Sequence, residues 1–364
     1  MTLGRLRALA LPMAVLCLAT ACATTDDVKP VAATGTPFLP IYSDETAAPT
    51  RPITIGLAGD VHFAGRTAAL LNDPSTAFGP LAPLLSAPDL TVANLETAVT
   101  TRGEPVRKEG NFRAPATVFP ALEEAGLDVV SIADDHVLDY GQPGLADTLA
   151  AADKAGFPVV GAGKDEASAF AARVIEVQGV KVAVVALNTG SLFAESFAAS
   201  GDDPGVAAPV DTKRAIAAVI DAERVADVVV VYQQWGKEDA ECPSLAQQKL
   251  AGTLADAGAD VIVGTGAHTL QGAGWLGATY VAYSLGDLVW FADSPVSADT
   301  GLLQVTVHGG TVTQASFTPA RMPTTGRAVP LTGSQAQEAV TRFEARRSCS
   351  GLAAAPTRPS PTAS

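Results

Sequence analysis

The chain has 364 residues, 48% of them hydrophobic, 17% charged and 5% aromatic, proportions that describe a globular protein and exclude disordered and collagen-like chains. Acidic residues number 38 against 24 basic ones, a formal net charge of −14 that argues against a non-specific grip on nucleic acid or an anionic bilayer surface. The length suffices to bury a core without metals, so any metal is there for binding or chemistry.

The chain opens with an address. Arg5 and Arg7 precede an apolar run from Ala8 to Leu18, too short to span a bilayer and typical of a signal peptide. The run leads into Ala19-Thr20-Ala21-Cys22, which resembles a bacterial lipobox with Ala19 where leucine is usual. Residues 1–21 are therefore expected to be a signal of lipoprotein type, with Cys22 lipidated and the protein anchored outside the cytoplasm. An ordinary cleavable signal and a secreted protein form the alternative. Of four cysteines, Cys17 leaves with the signal, and lipidation of Cys22 leaves Cys242 and Cys349 as one even pair, which predicts a disulfide between them. Two unrelated thiols are the simpler alternative. Residues 22–51, rich in Thr, Ala and Pro, read as a flexible tether, residues 52–348 as the body, and residues 349–364 as a disordered tail.

Within the body, runs dense in Val and Ile predict buried strands at Ile53–Ala58, Leu90–Ala93, Val129–Ala133, Val159–Gly161, Val182–Leu187, Val228–Tyr232, Val261–Gly264 and Tyr280–Ser284. Helices are predicted over Thr117–Ala125, Gly144–Ala155, Asp211–Ala222, Ser244–Ala257 and Gln335–Arg346. Ala125-Gly126-Leu127-Asp128 and Ala257-Gly258-Ala259-Asp260 read as matching helix-to-strand turns. Leu302–His308 and Thr311–Phe317, joined at Gly309-Gly310, predict an antiparallel hairpin. Alternating strands and helices predict a layered α/β fold.

Residue types that ligate metals recur just past the predicted strand ends: Asp60 and His62, Glu96, Asp135 and His136, Gln234, and His268. Open α/β sheets bind their ligands there. A carboxylate and an imidazole two residues apart suit Mn, Fe or Zn. Glu96 is placed to bridge two ions, as in two-metal hydrolases, or else to sit at a helix N-terminus. The aspartates at 134, 135 and 139 have a plainer reading as caps of a turn. Arg113 and Lys108 are candidates to bind an anionic substrate, or are solvated surface cations. Trp235 and Trp275 are candidates for a polymer groove or for core. Gly161-Ala162-Gly163-Lys164 lacks the spacing of a phosphate-binding loop, and no Gly-x-Ser-x-Gly is present.

Gly59-Asp60, Asn94-Leu95-Glu96, Phe112-Arg113-Ala114-Pro115, Ala133–Gly141, Gln234-Trp235-Gly236, Gly264–His268 and Tyr283–Asp287 resemble, in order, the signature blocks of the CapA family of capsule and poly-γ-glutamate synthesis proteins. The resemblance spans residues 53–320. It implies a layered calcineurin-like metallophosphoesterase fold with mixed sheets flanked by helices. It also implies that Asp60, His62 and His268 hold one divalent ion, that Glu96 bridges to a second, and that His136 protonates a leaving group; Asp139, three residues on, is placed to orient that imidazole. The resemblance further calls for asparagine, histidine and histidine where Asp135, Gln234 and Gly266 stand. One ion is therefore expected and the second site weakened. Two functions follow from these residues. One is a metal-dependent phosphoesterase or polymer hydrolase. The other is a non-catalytic scaffold or polymer-binding member of a membrane complex that makes an envelope polymer.

Overall fold

The computed structural model describes residues 51–108, 110–190, 194–209, 211–291 and 298–357. The signal, Cys22 and the tether up to residue 50 lie outside them. In chain order the body begins with strands β1 (Ile53–Val61) and β2 (Leu90–Leu95), helix α1 (Val118–Glu124), β3 (Val129–Ser131), α2 (Gly141–Ala155) and β4 (Val159–Val160). The middle supplies β5 (Arg173–Val177), β6 (Val180–Asn188), α3 (Thr212–Glu223), β7 (Val228–Gln234), α4 (Leu245–Asp256), β8 (Val261–Thr265), β9 (Ala273–Leu276) and β10 (Thr279–Ala282). The chain then returns through β11 (Asp287–Val289), β12 (Asp299–His308), β13 (Thr311–Arg321), β14 (Val329–Pro330) and α5 (Gly333–Ala345).

Two mixed sheets result. The first runs β14-β13-β12-β1-β2-β3-β4, with β11 alongside the end of β1; the second runs β9-β10-β8-β7-β6-β5. Strands β1 to β4 are parallel neighbours in the first sheet, as are β6, β7, β8 and β10 in the second. One core lies between the sheets, where Ile53, Ile55 and Leu57 meet Val182, Val228, Tyr232 and Val261. The outer face of the first sheet is covered by Phe119 and Leu122 of α1 and Leu145 of α2, and that of the second by Val219 of α3 and Leu254 of α4. A strand buried on both faces needs apolar residues at consecutive positions, which is why β7 reads Val-Val-Val-Val. The layered α/β fold with mixed sheets flanked by helices is therefore the one expected.

Register is fixed by a repeated device. Asp89, Asp128, Asp227 and Asp260 each immediately precede a parallel strand. Each N–H donates to a carbonyl of the neighbouring strand, on Thr54, Thr91, Lys181 and Val229 respectively. The carboxylate of each accepts from the N–H of that same residue, at 2.7–2.8 Å. The matching helix-to-strand turns are two of these four junctions.

Several expectations change. Strand β1 continues past Ala58 to Val61, with a register shift between Leu57 and Asp60. Strand β5 was not predicted, because Arg-Val-Ile-Glu-Val is half exposed at a sheet edge and lacks a continuous apolar run. The expected tail from residue 349 is paired as far as Thr357. Trp275 and Ala353 exchange backbone hydrogen bonds of 2.8 Å, and the Thr357 N–H donates to the Gly277 carbonyl. The free edge of β9 and the Cys242–Cys349 disulfide, which closes a sequence separation of 107 residues, account for that docking. No helix among the described residues is long and apolar enough to cross a membrane.

Candidate functional site

The C-terminal ends of β1, β2, β3 and β8 converge, and side chains in or after them, with Asp287 at the start of β11, form two groups that meet at Glu96. Gly59 makes the approach possible: a Cβ there would lie 1.7 Å from the Gly286 carbonyl oxygen, the same oxygen that accepts the Asp60 N–H at 2.9 Å. The Asp60 carboxylate is fully buried, accepting from the Asn94 side chain at 3.0 Å and from the Gly266 N–H at 3.3 Å.

The first group is Asp60, His268 and Asp287. His268 adopts a left-handed backbone at φ 53°, a costly conformation for a non-glycine residue that packing must impose. Its Nδ1 lies 3.0 Å from Asp287 Oδ1 and 3.5 Å from Asp60 Oδ2. The second group is Glu96, Asp135 and His136. His136 Nε2 lies 3.7 Å from Glu96 Oε1 and 3.8 Å from Asp135 Oδ2, while His268 Nε2 approaches the same Glu96 oxygen at 3.8 Å. No helix begins at Glu96, which lies between β2 and a short strand at Ala98–Val99. Its role as a helix N-terminal acid is thereby removed.

Electrostatics follow from burial. Desolvation, reinforced by Asp60, pushes the Glu96 carboxyl well up, and desolvation pushes Asp287 up to about 7 against the pull of His268. Burial disfavours the charged form of His268, but Asp287 and Glu96 outweigh it and raise its pKa. Burial alone would raise Asp135, yet His136 and Lys108 hold it below the usual carboxylate range. Glu96 Oε2 and Asp134 Oδ2 are buried without a hydrogen-bond partner. A buried Glu96 carboxylate with an uncommitted oxygen, approached by two imidazoles, fits a divalent cation.

His136 and Asp139 come together as expected: Nδ1 lies 2.8 Å from Asp139 Oδ2, and Asp139 is fully buried. With Nδ1 turned to Asp139, Nε2 faces the site. The plainer reading of the aspartates as turn caps holds for Asp134, whose Oδ1 accepts the N–H groups of His136 and Val137 at 2.6 and 2.9 Å. Gln234 is at the site with its amide committed: Nε2 donates to Asp135 Oδ1 at 3.3 Å and Oε1 accepts from Thr265 at 2.6 Å.

Other expected residues stand elsewhere. His62 belongs to neither group. Its Nδ1 accepts the Ala64 N–H at 3.0 Å, and its ring stacks on Phe112 at 4.6 Å and meets Trp290 edge-on at 4.2 Å. Burial, with His136 and His268 nearby, pushes its pKa well down. Lys108 is no solvent-facing substrate cation, because its side chain is 3% exposed and its Nζ lies 2.7 Å from Asp139 Oδ1. The Arg113 guanidinium lies over the Tyr140 ring at 3.3 Å, a stacked cation–π position. Trp235 and Trp275 are buried core residues. Cys22 lies outside the described residues.

Two participants escaped sequence reasoning. Asp287 carried a signal, an acid closing the Tyr283–Asp287 block at the start of a strand. Phe112 carried a signal of the same kind, opening the Phe112–Pro115 block: its ring is sandwiched between His62 and His136, 4.1 Å from the latter.

Comparison with known proteins places these residues in a family. The family model described as bacterial capsule synthesis protein PGA_cap matches residues 54–291, a span that contains both groups. The "PGA biosynthesis protein CapA" of Bacillus subtilis (strain 168) is 30% identical over 275 residues, covering 74% of this chain and 70% of that protein. A "probable polyglutamine synthesis accessory protein" of Mycobacterium tuberculosis is 33% identical over 214 residues, 56% of each chain. A hypothetical protein from Thermus thermophilus overlays with a TM-score of 0.49 at 18% identity, covering 74% of this chain and all of that one. With its strand-end site inside the matched span, the chain belongs to the bacterial capsule synthesis family PGA_cap.

Proposed function

We propose that the protein serves the synthesis of an extracellular capsule polymer of the poly-γ-glutamate type, working as a cell-surface lipoprotein with a metallophosphoesterase-like site. The observation that carries this reading is the family match over the residues that build the site. The roles named for the relatives, PGA biosynthesis and polyglutamine synthesis, point the same way. Anchoring through Cys22 rests on the lipobox-like sequence.

Asp60, His268 and Asp287 would hold the first divalent ion, with Glu96 beside it. Such an ion supplies Lewis-acid polarisation of a phosphoryl or carbonyl oxygen. Asp139 holds the imidazole of His136 by its Nδ1, so Nε2 is the atom that takes up or delivers a proton toward the site. Phe112, stacked on the same ring, excludes water from its face. A second reading, a site that binds without cleaving, draws support from Gln234, whose amide is spent on Asp135 and Thr265.

The test is complementation. A B. subtilis strain lacking its own CapA would express this chain, and released polymer, ions bound per purified chain and membrane association would be measured. Polymer release should return with the parent chain and fail with Asp60→Ala, which also loses the ion, while Cys22→Ala should move the protein into the medium. A folded parent chain that restores no polymer overturns the synthesis role. Restoration by metal-free Asp60→Ala would instead make the site a binding scaffold.

A further inference from the structure

The second group contains a cation of its own. Lys108 Nζ lies 2.7 Å from Asp139 Oδ1, 3.6 Å from Asp135 Oδ2 and 3.2 Å from His136 Nδ1, and it also donates to the Asp135 carbonyl. The ammonium therefore sits against two of the carboxylates that surround the histidine, with its side chain only 3% exposed. A buried lysine is retained where opposite charge surrounds it.

Its position is built. The Val106 N–H donates to the Asp139 carbonyl at 2.8 Å and the Phe112 N–H to Asp139 Oδ2, so the segment is stitched to the His136 turn on both sides of Lys108. Between them the Asn111 side chain donates to the carbonyls of Val106 and Lys108 at 3.2 and 3.1 Å, closing the turn that aims the lysine inward.

Asp135 is thereby met on both oxygens: Oδ2 faces Lys108, and Oδ1 accepts from Gln234. Gly266 belongs to the same arrangement, because a Cβ there would lie 2.7 Å from Gln234 Nε2, at a backbone φ of +87°. Lys108 and Gln234 are thus the two donors that face Asp135, and Gly266 leaves the Gln234 amide its room. We propose that the Lys108 ammonium is the resident cation of the second group, so that the centre takes one exchangeable divalent ion and one fixed positive charge. Lys108 acts as a positioning residue, holding Asp135 and Asp139 and, through Asp139, the ring of His136.

This inference rests on the metal-centre reading above, and ion counting separates the two. The purified chain would be loaded with Mn and the ions per chain determined by elemental analysis. Lys108→Met leaves a buried carboxylate uncompensated and is at risk of misfolding, so Lys108→Met/Asp139→Asn is tested beside it. The parent should bind one ion, and whichever variant folds should bind close to two, because Asp135 is released as a ligand. Two ions in the parent, or one in parent and folded variants alike, overturn the role of Lys108 and leave the first group standing. No ion in any of them overturns the metal-centre reading and this inference with it.

Discussion

Asp287 and Asp135 are carboxylates beside histidines, yet their surroundings drive them in opposite directions. Asp287 is fully buried with one imidazole for company, and desolvation takes it up to about 7; Asp135 has Lys108 as well as His136, and charge wins over burial. Glu96 follows Asp287, since Asp60, Asp135 and Asp134 add to its desolvation. Asp287 therefore holds a proton at mildly acidic pH, and a binding cation must displace it. Apparent affinity for Mn should rise with pH up to about 7, with proton release visible as a dependence of calorimetric heat on buffer ionisation enthalpy. An affinity that does not change with pH across the mildly acidic to neutral range would contradict these positions. Individual ligand types were legible residue by residue: Asp60, Glu96, Asp135, His136 and His268 all reach the site. His62 lies outside both groups, and residue type and spacing do not show that a neighbouring loop brings the Phe112 ring against its imidazole.

At the scale of elements, the four aspartates that open parallel strands are the clearest case of sequence acting through local geometry. Each satisfies the N–H at the start of a neighbouring strand, a group that would otherwise end the ladder unpaired. The device has a cost at Asp260, which desolvation pushes up to about 6 even though the Val229 N–H pulls the other way. A carboxyl whose folded pKa exceeds its unfolded value favours folding while protonated and loses that contribution as pH rises through the folded value. Asp260→Asn keeps an acceptor oxygen and cannot titrate. Its stability relative to the parent should therefore improve as pH rises from about 4 to about 6 and level off above about 7, read from urea denaturation across that range. A difference that stays constant with pH would show that the carboxyl is not displaced. Helix positions were equally legible: Ser244 and Asp211 cap α4 and α3 with side-chain bonds to the first-turn N–H groups, which is why polar residues just ahead of apolar periodicity located both starts. The edge strand β5 was not legible, since a half-exposed strand pairs through its backbone and needs no apolar run.

For the whole molecule, Cys242–Cys349 is the long-range constraint. It joins the segment before α4 to the end of the chain, next to the residues that extend β9. Closing a loop of this size restricts the unfolded chain, so Cys242→Ser/Cys349→Ser should lower stability by about 2–5 kcal/mol, measured by thermal unfolding. The number of ions bound should not change, because neither cysteine belongs to the two groups of carboxylates and imidazoles proposed to take ions. Retained stability would mean that edge pairing alone holds the C-terminal segment. What the sequence by itself determined is the part of this protein written in short-range pattern: buried strands as Val- and Ile-rich runs, helix starts, junction aspartates, ordered family blocks and most ligating residues. Tertiary structure decided which of those residues meet. The sheets bring the ends of strands far apart in the chain to one place, so Asp60 finds His268. A loop folded back on the His136 turn makes Lys108 an internal counter-charge in place of a surface cation. Contact across such separations depends on register, burial and backbone approach, as at Gly59 and Gly266, and these are properties of packed elements that no local pattern encodes.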